Sequence, residues 1–307
     1  MNLIQLFKAA LIITIGANAI AIHADDLRFT SGSLSDQTVS LTVAGNSNLV
    51  CELQRLQPTN DTWTAVSTFT LNSNGVYYAT NSLIDGYGYF RVQSTNGTYH
   101  STNAFGAMSI VLPQGWSMLG NPFDTLHLTD IFPSPEEGMN VDTLTDGQQW
   151  NDIASYDFGE WNHDDAIVRG QGMAVRTYTT NIVAQLYGLF STNGFSVSLP
   201  PGWSMVMTPL YHITDYNSMQ VDSLDSNHLG GLSTFPLSTG TNPQARLGLI
   251  VGTVGPTFDY YDLGTNNVWK LGTNAVSSIP ITWSESVWWR NTQTNSITWT
   301  VNSVPIW

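Results

Sequence analysis

LPQGWSMLGNPF occupies residues 112–123, and LPPGWSMVMTPL occupies residues 199–210, 87 positions later. Each reads as one β-strand with punctuation at both ends. Alternation puts Trp116 and Met118 on one face and Ser117 and Leu119 on the other; Trp203 and Met205 share a face in the same way. Leu-Pro-Gln-Gly fits a type I turn, but the second copy has Pro at the third position, which type I disfavours. A backbone common to both copies is therefore extended through the prolines. Gly115 and Gly202 then let the chain bend or pass close to a neighbour. Pro122 and Pro209 stop the strand or place it at a sheet edge. A core needs such a strand once per module, so two copies predict two modules, each with its own core.

Further text repeats in the same order. Ser101–Phe105 matches Ser191–Phe195, and Met139–Leu144 matches Met219–Leu224. Tyr156-Asp157-Phe158-Gly159 matches Tyr261-Asp262-Leu263-Gly264, each followed by a Trp, Trp161 and Trp269. Gly172–Arg176 parallels Ser286–Arg290. Collinear blocks of this kind indicate an internal duplication, and their changing offsets place insertions in loops. The expected organisation is a signal peptide at 1–24, a small sandwich at 25–105, repeat one at 106–193, and repeat two at 194–307. The last carries a large loop insertion near 225–258.

Composition agrees with export. Lys8 precedes an apolar run that ends in small residues, with cleavage expected after Ala21 or Ala24. The run falls short of a membrane span, and no later stretch reaches one. The formal charge is −14, and Lys270 is the only lysine beyond the leader. A sparse acidic charge set argues against nucleic acid and anionic membranes as partners. Cys51 is the only cysteine, so no disulfide forms within the chain. Its alternating context, NLVCELQRL, makes it a core residue.

Short alternating runs broken by Asn, Gly, Asp, Ser and Pro make the chain all-β. In the first module the strands are expected at Leu49–Leu56, Thr62–Phe69, Val76–Ala79 and Gly88–Gln93. This module resembles the small Fn3-like sandwich of bacterial secreted proteins, with Trp63 and Tyr89-Phe90-Arg91-Val92 at that pattern's Trp turn and closing strand. The duplicated part resembles β-sandwich modules in secreted and surface proteins of Verrucomicrobia, Planctomycetes and Bacteroidetes. Those modules carry a GWNLIGNP-like strand, a Tyr/Trp hairpin and a GxGFFV-like closing strand. Here these fall at Gly115–Pro122, Tyr156–Trp161 and Gly170–Val175, and again at Gly202–Pro209, Tyr261–Trp269 and Ser284–Trp289. The second copy departs from the pattern: Met207-Thr208 replaces Gly-Asn, and Ser284 and Ser286 replace glycines. The resemblance implies an accessory or surface module with no established catalytic residues.

Two sets of residues could carry chemistry. Asp157, Asp164 and Asp165 lie in the acidic stretch of repeat one. They read either as solvated loops or as a Ca²⁺ site of the weak extracellular kind; no other cofactor is indicated. Trp283, Trp288, Trp289 and Tyr261 form an aromatic group near the C-terminus. Adjacent strand positions point to opposite faces, so one of Trp288 and Trp289 is core. The other faces solvent, where it could stack on a sugar ring or a partner protein, or is covered by a neighbouring module or the insertion. Glu136, Glu137, Glu160 and Glu285 are the glutamates a glycoside hydrolase could use as its carboxyl pair. No zinc, nucleophile-elbow or phosphate-loop motif occurs. The sequence thus points to a non-catalytic secreted or surface protein for binding, adhesion or surface structure, with extracellular polysaccharide or surface proteins as partners. A carbohydrate-active hydrolase and a self-assembling matrix or surface-layer component are the alternatives.

Overall fold

The structure is a computed structural model that describes residues 26–57, 62–143, 151–179, 181–190, 195–207, 232–233, 245–251, 257–263, 269–275, 286–291 and 296–301. It is all-β, built from several antiparallel sheets. The N-terminal strands are β1 (Arg28–Ser35), β2 (Thr38–Ala44), β3 (Val50–Gln57), β4 (Thr62–Thr70), β5 (Val76–Ser82), β6 (Tyr87–Ser94) and β7 (Ala104–Leu112). The first unit beyond them comprises β8 (Gly115–Gly120), β9 (Leu126–His127), one turn of helix α1 (Leu128–Ile131), β10 (Met139–Thr143), β11 (Asn151–Asp157), β12 (Glu160–Trp161), β13 (Ala166–Ile167), β14 (Gly172–Thr177) and β15 (Ile182–Phe190). The second comprises β16 (Phe195–Leu199), β17 (Gly202–Met207), β18 (Leu232–Ser233), β19 (Ala245–Val251), β20 (Thr257–Leu263), β21 (Trp269–Leu271), β22 (Asn274–Ala275), β23 (Ser286–Asn291) and β24 (Ile297–Val301).

The sheet β1-β2-β5 faces the sheet β15-β7-β6-β3-β4 across one apolar layer. Phe29, Leu41 and Val43 on one side meet Cys51, Leu53, Phe90, Val92 and Phe105 on the other. Alternation explains the choice: Val39, Leu41 and Val43 point in while Thr38 and Ser40 point out. Burial pushes the Cys51 thiol up to about 11, so it is a neutral core group. The boundary expected between residues 105 and 106 falls inside β7, which bonds to β6 on one side and β15 on the other. The first unit therefore shares a sheet with the N-terminal strands. The sharing is tight, because Gly106 stands opposite Gly188 in the β7–β15 ladder and Phe123 lies on that pair. A Cβ on Gly106 would sit 2.1 Å from the Phe123 ring.

Both Gly115 and Gly202 take positive φ, 104° and 98°, where glycine is strongly favoured. The strands they open then run in equivalent ladders. The order β12-β11-β10-β14-β8 in the first unit has its counterpart in β21-β20-β19-β23-β17 in the second. Trp116, Ser117 and Met118 stand opposite Arg176, Val175 and Ala174; Trp203, Ser204 and Met205 stand opposite Arg290, Trp289 and Trp288. The flanking pair β7·β15 likewise has its counterpart in β16·β24. The place of β10 is taken by β19, so residues 245–251, expected in a loop insertion, form a central strand instead. Met219–Leu224, the text that resembled β10, lies outside the described residues. Tyr156 pairs with Trp161 whereas Leu263 pairs with Trp269. The Tyr-Asp text of the second unit is thus offset by two positions, which keeps it on the same face.

The expectation of a separate core behind each Trp-Met face is not what the structure has. Leu119 faces its own unit, level with Met173, next to the layer of Val141, Ala154 and Val175. Met118 faces the other unit. It joins Ala174 and Met205 in one buried cluster, flanked by half-buried Trp116 and Trp203. Equivalent positions thus meet each other, as they do across a two-fold axis. At the next level Gly120 and Gly172 pair in one ladder, Met207 and Ser286 in the other. A Cβ on Gly120 would lie 2.3 Å from the Met207 Cβ. Two methionines would collide there and two glycines would leave a void. The departures at Met207 and Ser286 are therefore what lets the two faces close. The Met207 N–H donates to the Gly170 carbonyl (2.9 Å), and the Ser286 hydroxyl to the Met173 carbonyl (3.3 Å).

The Asn of the Gly-Asn-Pro text has a structural task. Asn121 is fully buried; its Nδ2 donates to the carbonyls of Asp124 and Ile167, and its Oδ1 accepts from the Phe123 N–H. Its own N–H and C=O bond Gln171 and Gly170. One residue thereby ties the end of β8 to β13 through its side chain and to the loop before β14 through its backbone, with its polar groups satisfied.

Candidate functional site

The three aspartates do not come together as a cation site. Asp164 accepts from both the N–H and the hydroxyl of Thr129 (3.0 Å each), so it caps the start of α1 from another loop. Asp157 lies opposite Glu160 at the β11–β12 turn, and Asp165 is exposed before β13. Among the described residues no group of three His, Cys, Asp or Glu side chains could hold a metal ion. The Nδ1–H of exposed His127 donates to the Asp164 carbonyl (3.0 Å). That bond, then the nearby Asp164 and Asp130 charges, raise the His127 pKa above 6.5 against a smaller desolvation effect. A raised histidine stabilises the fold fully below its unfolded value and loses that contribution as pH rises through its folded value. An NMR titration of His127 is expected to have its midpoint above 6.5. A midpoint at or below the ordinary value would show that the Asp164 contact does not persist in solution.

Trp283 lies outside the described residues. Position 288 stands opposite Met205 and Gly248, hence on the face that meets the first unit, and position 289 stands opposite Ser204 and Leu247 on the other. Position 288 is the counterpart of Ala174, which is buried where the units meet. Tyr261 is in β20, between Leu247 and Leu271.

Among the described residues, the most exposed aromatic one lies elsewhere. Phe158 and Gly159 form a two-residue hairpin turn with φ of +58° and +82°, a type I′ geometry that favours Asn-Gly. The Phe158 side chain is 99% exposed. Its turn is braced, because the Glu137 carboxylate accepts from both tip amides, those of Phe158 and Gly159, at 2.9 Å. Behind it Trp161 packs edge-on to Tyr156 (5.4 Å) and against Phe132 (5.9 Å).

The chain matches no protein-family model and no curated protein.

The neighbouring carboxylate, Glu136, braces a second turn. It accepts from the N–H groups of Tyr178 and Thr179 and from the Thr179 hydroxyl. Tyr178 is 38% exposed, with the Arg176 guanidinium 4.5 Å from its ring centre and 5.5 Å from that of Trp116. The Asn140 amide reaches its hydroxyl at 3.4 Å, and the Gln114 amide donates to its carbonyl. Glu136 and Glu137, which had been candidate acid–base groups, are thus brackets for two turns, each displaying a ring. Phe158 and Tyr178 were not singled out in the sequence. A bulky residue before a turn glycine, where Asn is favoured, was the available signal.

Proposed function

We propose that the protein is an exported, non-catalytic binding protein, built from two copies of one module joined face to face behind a small sandwich, and that its ligand is a glycan. The observation that carries this reading is how the first unit uses its acids. The oxygens of Glu136 and Glu137 accept hydrogen bonds from backbone amides of turns, and Asp164 accepts from the Thr129 amide at the start of α1. A glycosidase instead needs one carboxyl free to give a proton and another free to attack or activate water. Bracing of this kind makes rigid loops, and rigid loops displaying aromatic rings suit recognition, because little conformational entropy is lost on contact. Matching ladder order and register support the two-copy reading. The leader-like N-terminus and the near absence of lysine support export.

Affinity electrophoresis through gels containing single soluble polysaccharides tests the reading. Retardation by at least one polymer without release of reducing sugar is the expected result. Passage through every gel at the control rate would overturn the glycan assignment. Release of sugar ends from a retarding polymer would replace binding by hydrolysis.

A further inference from the structure

We propose that the end of the first unit around the Glu136–Gly138 turn is the contact surface for a neutral polysaccharide, with Phe158 and Tyr178 as its stacking rings. The proposal rests on the binding reading above and locates it. Three features point here. The first is cost: Phe158 occupies a left-handed position that favours Asn or Gly, and its ring is 99% exposed. Nothing in the folded chain is gained from that ring, and such strained, exposed residues gather where a protein contacts something else. The second is bracing. Adjacent carboxylates hold the two turns by their backbone amides, so both rings are presented on stiff supports.

The third is spacing. β11, which ends at Asp157, and β14, which ends at Thr177, flank β10 on either side, and the braces sit just before β10 begins at Met139. Residues at the ends of strands two ladder steps apart are about 10 Å apart. Two rings at that spacing suit a chain of sugars better than a single ring. The choice of a neutral chain follows from charge. Asp157 and Glu160 are exposed beside Phe158, and the whole chain carries −14, which repels uronate or sulfate polymers.

The test uses the full-length secreted protein in gels containing starch, mixed-linkage β-glucan, xyloglucan or galactomannan, with alginate as the anionic polymer. Retardation by a neutral polymer is expected, with Phe158→Ala and Tyr178→Ala each weakening it about fivefold. Phe158→Gly separates binding from folding: it relieves the left-handed strain, so its urea midpoint should rise while retardation falls as in Phe158→Ala. Wild-type retardation that none of the three substitutions reduces would overturn this surface and leave the binding reading standing. Stronger retardation by alginate than by any neutral polymer would overturn the ligand class. Free passage of the wild type through every gel would remove the binding reading and this surface with it.

Discussion

Phe123→Ala is expected to lower the stability of the folded chain by about 3–5 kcal/mol, read as a fall in urea midpoint at unchanged slope. Phe123 is fully buried, its ring 6.2 Å from that of Tyr89. It lies on Gly106 and Gly188, which face each other across the ladder that joins the N-terminal strands to the first unit. Glycines lining a slot have no side chains with which to fill it, so truncating the ring leaves a cavity that can relax only by moving backbone. The reciprocal change argues the same geometry. Gly106→Ala alone places a methyl 2.1 Å from the ring and should be strongly destabilising. In the Phe123→Ala background the same methyl enters vacant space, and most of its cost should vanish. Equal cost in both backgrounds would mean that the ring does not occupy the slot.

Gly120→Ala is expected to cost about 1–3 kcal/mol or more, although it adds one carbon to a strand, where alanine is ordinarily no worse than glycine. The added carbon would lie 2.3 Å from Met207 Cβ, an atom fixed to the backbone that cannot rotate away. Relief requires the two sheets to part. That would also loosen the Met118–Ala174–Met205 cluster and the bond from Met207 N–H to Gly170. A neutral or stabilising Gly120→Ala would show that β8 and β17 are not in contact.

Sequence alternation made most of the strands legible. The four expected from Leu49 to Gln93 match β3 to β6 to within three residues at each end. The Gly-Trp-Ser-Met text fell where positive-φ glycines open β8 and β17. What alternation could not supply was the neighbour of each face. Leu119 and Met118 are both apolar, and nothing local distinguishes the face turned to its own unit from the face turned to the other. In the sequence, Met207 stands only as a departure from the pattern's Gly. Only the facing Gly120 shows it to be a complementary choice. Ala245–Val251 follows a polar, Gly- and Ser-rich stretch that read as a loop, although ARLGLIV is itself a strand-like run. The braces were illegible for a different reason. Glu137 bonds amides 21 and 22 residues away, and Glu136 an amide 43 residues away, separations with no periodic signal. The aromatic cluster was sought near the C-terminus because tryptophan is dense there. The exposed ring that the described residues add, Phe158, stands on a turn of the first unit, where its left-handed backbone position is what marks it.

The face-to-face joining of the two units is tested most directly by the double-mutant cycle of Gly120→Ala and Met207→Gly, measured by urea unfolding. Removing the Met207 side chain opens the space that the methyl added by Gly120→Ala needs. The cost of the pair should therefore fall short of the sum of the single costs by about 1 kcal/mol or more, the size expected for residues in contact. Strict additivity, to within about 0.3 kcal/mol, would contradict the joined core and return the two Trp-Met faces to separate surroundings.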